Sequence, residues 1–240
     1  MKIYVGTSGW MYSWNPDRLE WYVARSGLNA IELNMSFYRF PRHVQVERWA
    51  RIGAGLRWAV KVHRSITHYR KLSPASMSTL SKFIDRFRPL EHLIDFYLFQ
   101  LPPSLPYSEK AWERVVAVND ATGGKAAIEP RHLSWFNDGV VKKFAGSEIV
   151  LVTPDSPDYA GTPQGKVYCS SGTVYLRMHG RTAWYVHRYT QKELEEVARM
   201  LCTASPSRAY IFFNNDHDML DNARQLKQIL IRDRETSLLY

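Results

Sequence analysis

Apolar residues along this chain fall into eight short runs, most of which close on polar or charged side chains and open into a loop. The runs are IYVGTSG from Ile3, AIELN from Ala30, RWAVKVH from Arg57, LIDFYLFQL from Leu93, AAIEPR from Ala126, EIVLVTPD from Glu148, TVYLRMHG from Thr173 and AYIFFNN from Ala209. Each has the length of a strand, and most are followed by a stretch of helical character. Alternation of this kind implies a parallel sheet, and eight such units predict closure into a barrel rather than an open doubly wound sheet. The expected fold class is α/β, a single (β/α)8 TIM-like barrel domain over residues 1–240.

The connections support this reading. PDRLEWYVARSG from Pro16 has proline in its first turn and glycine at its end, the usual asymmetry of helix termini. HVQVERWARIG from His43, SPASMSTLSKFIDRFRPL from Ser73 and YSEKAWERVVAVN from Tyr107 follow strands two, three and four, with Ser73 and Pro74 as cap and first turn. SWFNDGVVKKFAG from Ser134 is weaker, because Gly139 costs about 1 kcal/mol relative to alanine in a helix. Thr190 opens the next helix with a Thr-x-x-Glu capping pattern through Glu193, and Asp218 opens the last. Residues 156–172 are rich in Pro, Gly and Ser without helical period, so the sixth helix is expected to be missing or reduced. GTSG at Gly6 lacks the GxGxxG spacing of a dinucleotide fold.

Side chains alternate faces along a strand, so phase follows wherever one face is uniformly apolar. Trp58, Val60 and Val62 face the helices, which turns Lys61 and His63 inward; the same logic turns Glu32, Asn34, Glu129, Arg131, Arg177 and His179 inward. Two tiers result, with Glu32, Lys61, Glu129 and Arg177 deeper and Asn34, His63, Arg131 and His179 nearer the mouth. Barrels place their chemistry at the C-terminal ends of the strands, where this ring lies. Buried charges must be paired, so a self-satisfied ion network is the plain structural alternative.

Composition narrows the setting. Two cysteines, Cys169 and Cys202, form no CxxC pair and fit a reducing compartment. No run approaches the ~20 apolar residues that span a bilayer, so a cytoplasmic protein without a membrane partner is expected. A formal charge of +9 favours anionic partners, although the positive residues are dispersed.

Several strings stand out together: GTSGW at Gly6, IELNMSFYRFP at Ile31, VKVHRSITH at Val60, FQLPPSL at Phe99, IEPRHLSW at Ile128, YLRMHG at Tyr175 and FFNND at Phe212. In their order and over essentially the whole chain they resemble the uncharacterised DUF72 family, also called YecE-like or UPF0759. The resemblance implies a TIM-like barrel and carries over no reaction.

The residues themselves suggest chemistry. Glu32 and Glu129 are candidate general bases, and His63 and His179 candidate acids. Candidate substrate contacts are Asn34, Lys61, Arg131, Arg177, Gly180, Asn214 and Asn215, with Trp10, Tyr38, Trp135 and Tyr185 as flat apolar faces. The inventory suits hydrolysis or related acid/base chemistry on an anionic, ring-bearing substrate: a nucleotide, nucleic acid or sugar phosphate. Noncatalytic binding of nucleic acid or a phosphorylated ligand is one alternative. A glycoside hydrolase is another, with the drawback that ion pairing lowers the pKa an acid catalyst needs raised. No cofactor is evident; if a divalent metal binds, its ligands are expected among Glu32, Glu129, Asp155 and His179, with Lys61, Arg131 and Arg177 opposing it.

Overall fold

The computed structural model describes residues 1–157 and 161–237. Eight parallel strands form the barrel: β1 (Lys2–Thr7), β2 (Ala30–Leu33), β3 (Arg57–Lys61), β4 (Ile94–Gln100), β5 (Ala126–Glu129), β6 (Val150–Asp155), β7 (Thr173–Met178) and β8 (Arg208–Phe213). Their order around the sheet is β1-β8-β7-β6-β5-β4-β3-β2. A parallel bridge between Ser8 and Glu32, with Gly9 N–H donating to the Glu32 carbonyl at 2.8 Å, draws the first and last strands of that order together.

Helices α1 (Arg18–Arg25), α2 (His43–Ile52), α3 (Met77–Arg86), α4 (Glu109–Ala121), α5 (Asp138–Ala145), α6 (Gln191–Ala204) and α7 (Met219–Ser237) follow the strands. Side-chain caps fix the starts of α4, α5 and α6. Ser108 accepts from Ala111 N–H, Asn137 from Val140 N–H, and Thr190 and Glu193 form the predicted reciprocal capping box. Pro74 sits in a 3-10 turn, Pro74–Ser76, that leads into α3. Between β6 and β7 no helix occurs among the described residues. Val167, Tyr168 and Cys169 instead pack on the outer core, and the two-residue strand Cys169–Ser170 pairs antiparallel with β7. Residues 158–160 of that predicted helix-poor segment lie outside the described residues. No described helix is long and apolar enough to cross a membrane.

Two cores result from the alternation. Outward positions such as Ile31, Val60, Ile128 and Leu176 pack under the helices. Inward positions fill the cylinder: Ala30, Ala59 and Ala127 give space, and Phe96, Tyr175, Tyr210 and Phe212 occupy it. The rings interlock, with centroids 4.9 Å apart for Phe96 and Tyr210 and 5.2 Å for Tyr175 and Phe212. This aromatic plug supports the polar tier above it.

Closure depends on Gly6. A Cβ there would lie 2.3 Å from the Ala30 carbonyl oxygen, so any side chain forces β1 from β2. Gly6→Ala is expected to destabilise the fold by ~3 kcal/mol or more, read as a drop in urea midpoint at unchanged slope. A change within about 0.5 kcal/mol, the size of an ordinary surface substitution, would contradict the close seam.

Candidate active site at the barrel mouth

Arg177, on β7, is fully buried at the centre of the C-terminal end. Its Nε donates to Glu32 Oε2 at 3.0 Å and its Nη2 to Glu32 Oε1 at 2.7 Å, while Nη1 donates to Glu129 Oε2 at 2.5 Å. Glu32 also accepts from the Ser8 hydroxyl and, at 2.7 Å, from the Tyr175 hydroxyl. Tyr175 thus ties the aromatic plug to the ion tier. Burial alone would lower the proton affinity of the guanidinium, but Glu129 and Glu32 outweigh it and hold the group charged.

A second cation extends the network. Arg131 Nη2 donates to Glu129 Oε1 at 2.6 Å, and the guanidinium lies 4.5 Å from the centroid of Trp184. Its Nε is buried without a hydrogen-bond partner. Burial pushes the Glu129 carboxyl up, yet Arg131, Arg177 and the His179 hydrogen bond hold it well below its ordinary 4.5. His179 Nε2 is 3.0 Å from Glu129 Oε1, and its Nδ1 is 3.2 Å from Asn214 Nδ2. Nε2 also lies 3.1 Å from Arg131 Nη2 and 3.4 Å from Arg177 Nη1, so two guanidinium donors and a carboxylate acceptor meet at one ring nitrogen. Burial, then Arg177 and Arg131, push His179 down to about 3, so the ring is neutral.

Lys61 differs from its neighbours. It is buried at the end of β3, and among the described residues its Nζ has no carboxylate or hydrogen-bond partner, lying 4.3 Å from the Phe37 centroid. Burial and the nearby Arg177 push its pKa from 10.5 down to about 7, against the pull of Glu129 and Glu32. His68, half-buried against Phe37, is lowered by burial and then by Lys61 and Arg131, which places it in the same electrostatic neighbourhood. Sequence reasoning passed over His68 because it sits in a π-helical turn, Ser65–Tyr69, where strand phase gives no guidance. Ser8 was also missed, although its two-residue spacing from Gly6 was an available signal; Tyr175, inward by strand phase, and Trp184, in the aromatic loop after β7, were legible in the sequence but not singled out as site residues.

Other predicted residues lie elsewhere. His63 follows the end of β3 and turns to the rim, where its ring nitrogens approach Ser65 Oγ at 2.8 Å and the Tyr38 carbonyl at 3.2 Å. Trp135 is fully buried, donates to the Leu105 carbonyl and packs edge-on to Tyr107, so it is a core residue and not a ligand contact. Asn215 is held by the His187 carbonyl and Asn222, because inward Phe212 sets Asn214 inward and Asn215 outward. Gly180 has φ of +105°, and its N–H is already taken by the Tyr189 hydroxyl. A Cβ there would lie 2.7 Å from both the Ala183 oxygen and His187 Cβ, so glycine serves loop packing. Tyr185 covers His179, its ring 5.8 Å from the imidazole, while Trp10 and Tyr38 line a cleft beside the mouth.

Asp155 corrects the proposed metal set. Val150 and Val152 face inward, which turns Asp155 to the other face of β6, where Arg181 and the Tyr189 hydroxyl bind it. The oxygens of Glu32 and Glu129 are occupied by hydroxyl and guanidinium donors and approached by the His179 imidazole. Among the described residues no three His, Cys, Asp or Glu side chains are grouped to hold a metal ion. The donor set therefore does not fit a divalent cation.

The strings that build this mouth run almost the length of the chain, and the model of the protein family of unknown function DUF72 matches residues 4–238. The chain belongs to the DUF72 family. A DUF72 family protein from Thermotoga maritima MSB8 is 25% identical, with 96% of this chain and 100% of that one covered and a TM-score of 0.83. One from Enterococcus faecalis V583 is 20% identical over 96% and 98%, with a TM-score of 0.81. A sugar phosphate isomerase/epimerase from Parabacteroides distasonis ATCC 8503 shares the fold at 13% identity, 95% and 98% coverage and a TM-score of 0.60. No curated protein matches this DUF72 chain.

Lys61 gives the DUF72 mouth a stability signature. Between about pH 7 and 10.5 the unfolded chain holds a proton on this lysine that the folded chain has released, so stability rises with pH across that window. Lys61→Met is expected to raise stability at pH 7 by ~2–4 kcal/mol and to flatten that rise, measured by denaturant unfolding at several pH values. Destabilisation at pH 7 would show that the ammonium is compensated in the fold.

Proposed function

We propose that the barrel mouth is the active site of an acid–base enzyme acting on a small anionic, ring-bearing compound such as a nucleotide or sugar phosphate. The observation that carries this reading is the charge imbalance: Lys61, Arg131 and Arg177 face two carboxylates, and both carboxylates are committed to guanidinium groups. An arriving phosphate or carboxylate supplies the missing negative charge. Arg131, with its unpartnered Nε, and the Lys61 ammonium are its anchors.

Lys61 also suits proton transfer. Groups titrating near neutral pH serve as acid and base in turn, and this lysine is placed there by its surroundings. Glu129, held as a carboxylate by two guanidinium groups and His179, acts instead as a fixed orienting charge, with the neutral His179 ring within hydrogen-bond distance of it. Phosphoester hydrolysis is the form of this chemistry in which the proton comes from water. The glycosidase reading loses support, because Arg177 binds both glutamates and Glu129 has a lowered rather than raised pKa.

The net charge of +9 favours a second reading, noncatalytic binding of nucleic acid. Phosphorus NMR of the protein with panels of nucleoside monophosphates and sugar phosphates reads hydrolysis and isomerisation alike. Turnover is expected in at least one panel, with Lys61→Met lowering the rate by about 10²–10⁴-fold. Turnover untouched by that substitution would remove Lys61 from the chemistry. No turnover, together with oligonucleotide affinity that falls steeply with salt, would favour the binding reading.

A further inference from the structure

We infer that Lys61 is the nucleophile of the barrel mouth, forming an imine with the aldehyde or ketone carbon of the substrate. This role rests on the reading of the mouth as a site for a small anionic compound, and selects among such compounds. A sugar phosphate opens its ring to a free carbonyl, whereas the sugar of a nucleotide is locked as a glycoside. An amine attacks only when its lone pair is free of a proton, so the surroundings of the nitrogen decide its use. Lys125 and Lys143 pair with Glu91 and Glu109 at 2.5 and 2.6 Å, and Lys71 and Lys227 donate to the carbonyls of Ser104 and Gly27. Each of those acceptors stabilises an ammonium. Lys61 is more buried than any of the four and has no acceptor among the described residues.

The place is suited to such chemistry. Lys61 ends β3, at the end of the barrel where strands present reacting groups. Its backbone is held on both sides: Ser36 Oγ donates to the Lys61 carbonyl at 2.6 Å, and the Val62 N–H to the Leu98 carbonyl at 2.9 Å. Phe37, which also meets the half-buried His68, presents its ring to Nζ, while Glu32 and Glu129 give their oxygens to guanidinium and hydroxyl donors. A lysine taken out of water beside cationic groups releases a free amine near neutral pH. The residue keeps 7% exposure, so it is screened from bulk water without being sealed. Arg131, with its unpartnered Nε, is left to hold the phosphate. The Nζ lone pair forms a C–N bond as the carbonyl π pair moves to oxygen, and one amine proton passes to that oxygen to give a carbinolamine. Its C–O bond then breaks, the hydroxyl leaving as water with the second amine proton, and C=N remains. No electrons are gained or lost overall, and exclusion of bulk water favours the dehydrated product.

Trapping reads the bond itself. The protein is incubated at pH 7 with glyceraldehyde phosphate or ribose phosphate and cyanoborohydride, whose hydride reduces the imine to a stable secondary amine. The adduct adds the mass of the compound less one oxygen, and peptide mapping by mass spectrometry locates it. Lys61 is expected to be modified at least about tenfold faster than any exposed lysine, since about half of it and only about one in 10³ of an ordinary lysine is unprotonated at that pH. Lys61→Met is expected to lose the selective adduct, and the map of the wild-type protein stands by itself should that variant fail to fold. Labelling spread over exposed lysines without preference for Lys61 overturns the inference, even where Lys61→Met lowers turnover and the proton-transfer role stands. Selective labelling of Lys61 to the same degree by unphosphorylated glyceraldehyde sustains the nucleophile, while the anion-binding reading of the mouth falls.

Discussion

A guanidinium with no exposed surface governs this molecule. Taking such an ion out of water costs several kcal/mol even after relaxation, and the cost is met only when its donors are used. Arg177 satisfies that demand with Glu32 from β2 and Glu129 from β5, so strands distant in sequence must converge on one point. The same pairing takes both carboxylates out of service as free bases. Lys61 is what remains: a cation in the same tier whose compensation the chain does not itself provide. A rigid ion network and a functional vacancy are in this way two aspects of one arrangement.

The tier also needs a floor. Tyr175 meets Phe96 and Phe212 in the aromatic plug and Glu32 through its hydroxyl, so packing below sets the position of charge above. On the mouth side Trp184 and Tyr185 lie against His179, and Trp184 also covers Arg131. Excluding water on both sides strengthens every charge interaction between them. It also makes an uncompensated ammonium costly, which is why stability and ligand binding are expected to pull in opposite directions at Lys61.

Strand phase made the deep tier legible. Glu32, Lys61, Glu129 and Arg177 each alternate with helix-facing apolar residues, and all four occupy the barrel interior or its rim. The TIM-like barrel, the capping box at Thr190 and the lack of a sixth helix among the described residues were readable for similar local reasons. Legibility ends where strands end. His63 and His68 follow β3 into a π-helical turn, and Trp135 enters a 3-10 turn that buries it under the helices. Asp155 was misplaced because EIVLVTPD is apolar on both faces and hides its phase. The cleft at Asn34 arises from two loops and two helices together, which no local pattern announces.

Lys61 carries a charge that no carboxylate among the described residues pairs with. NMR titration of its ε-methylene resonance, with lysine substitution for assignment, measures that charge directly. The account predicts a midpoint near 7 in the free protein and a rise when inorganic phosphate is added. A midpoint at the ordinary 10.5, indifferent to phosphate, would contradict it.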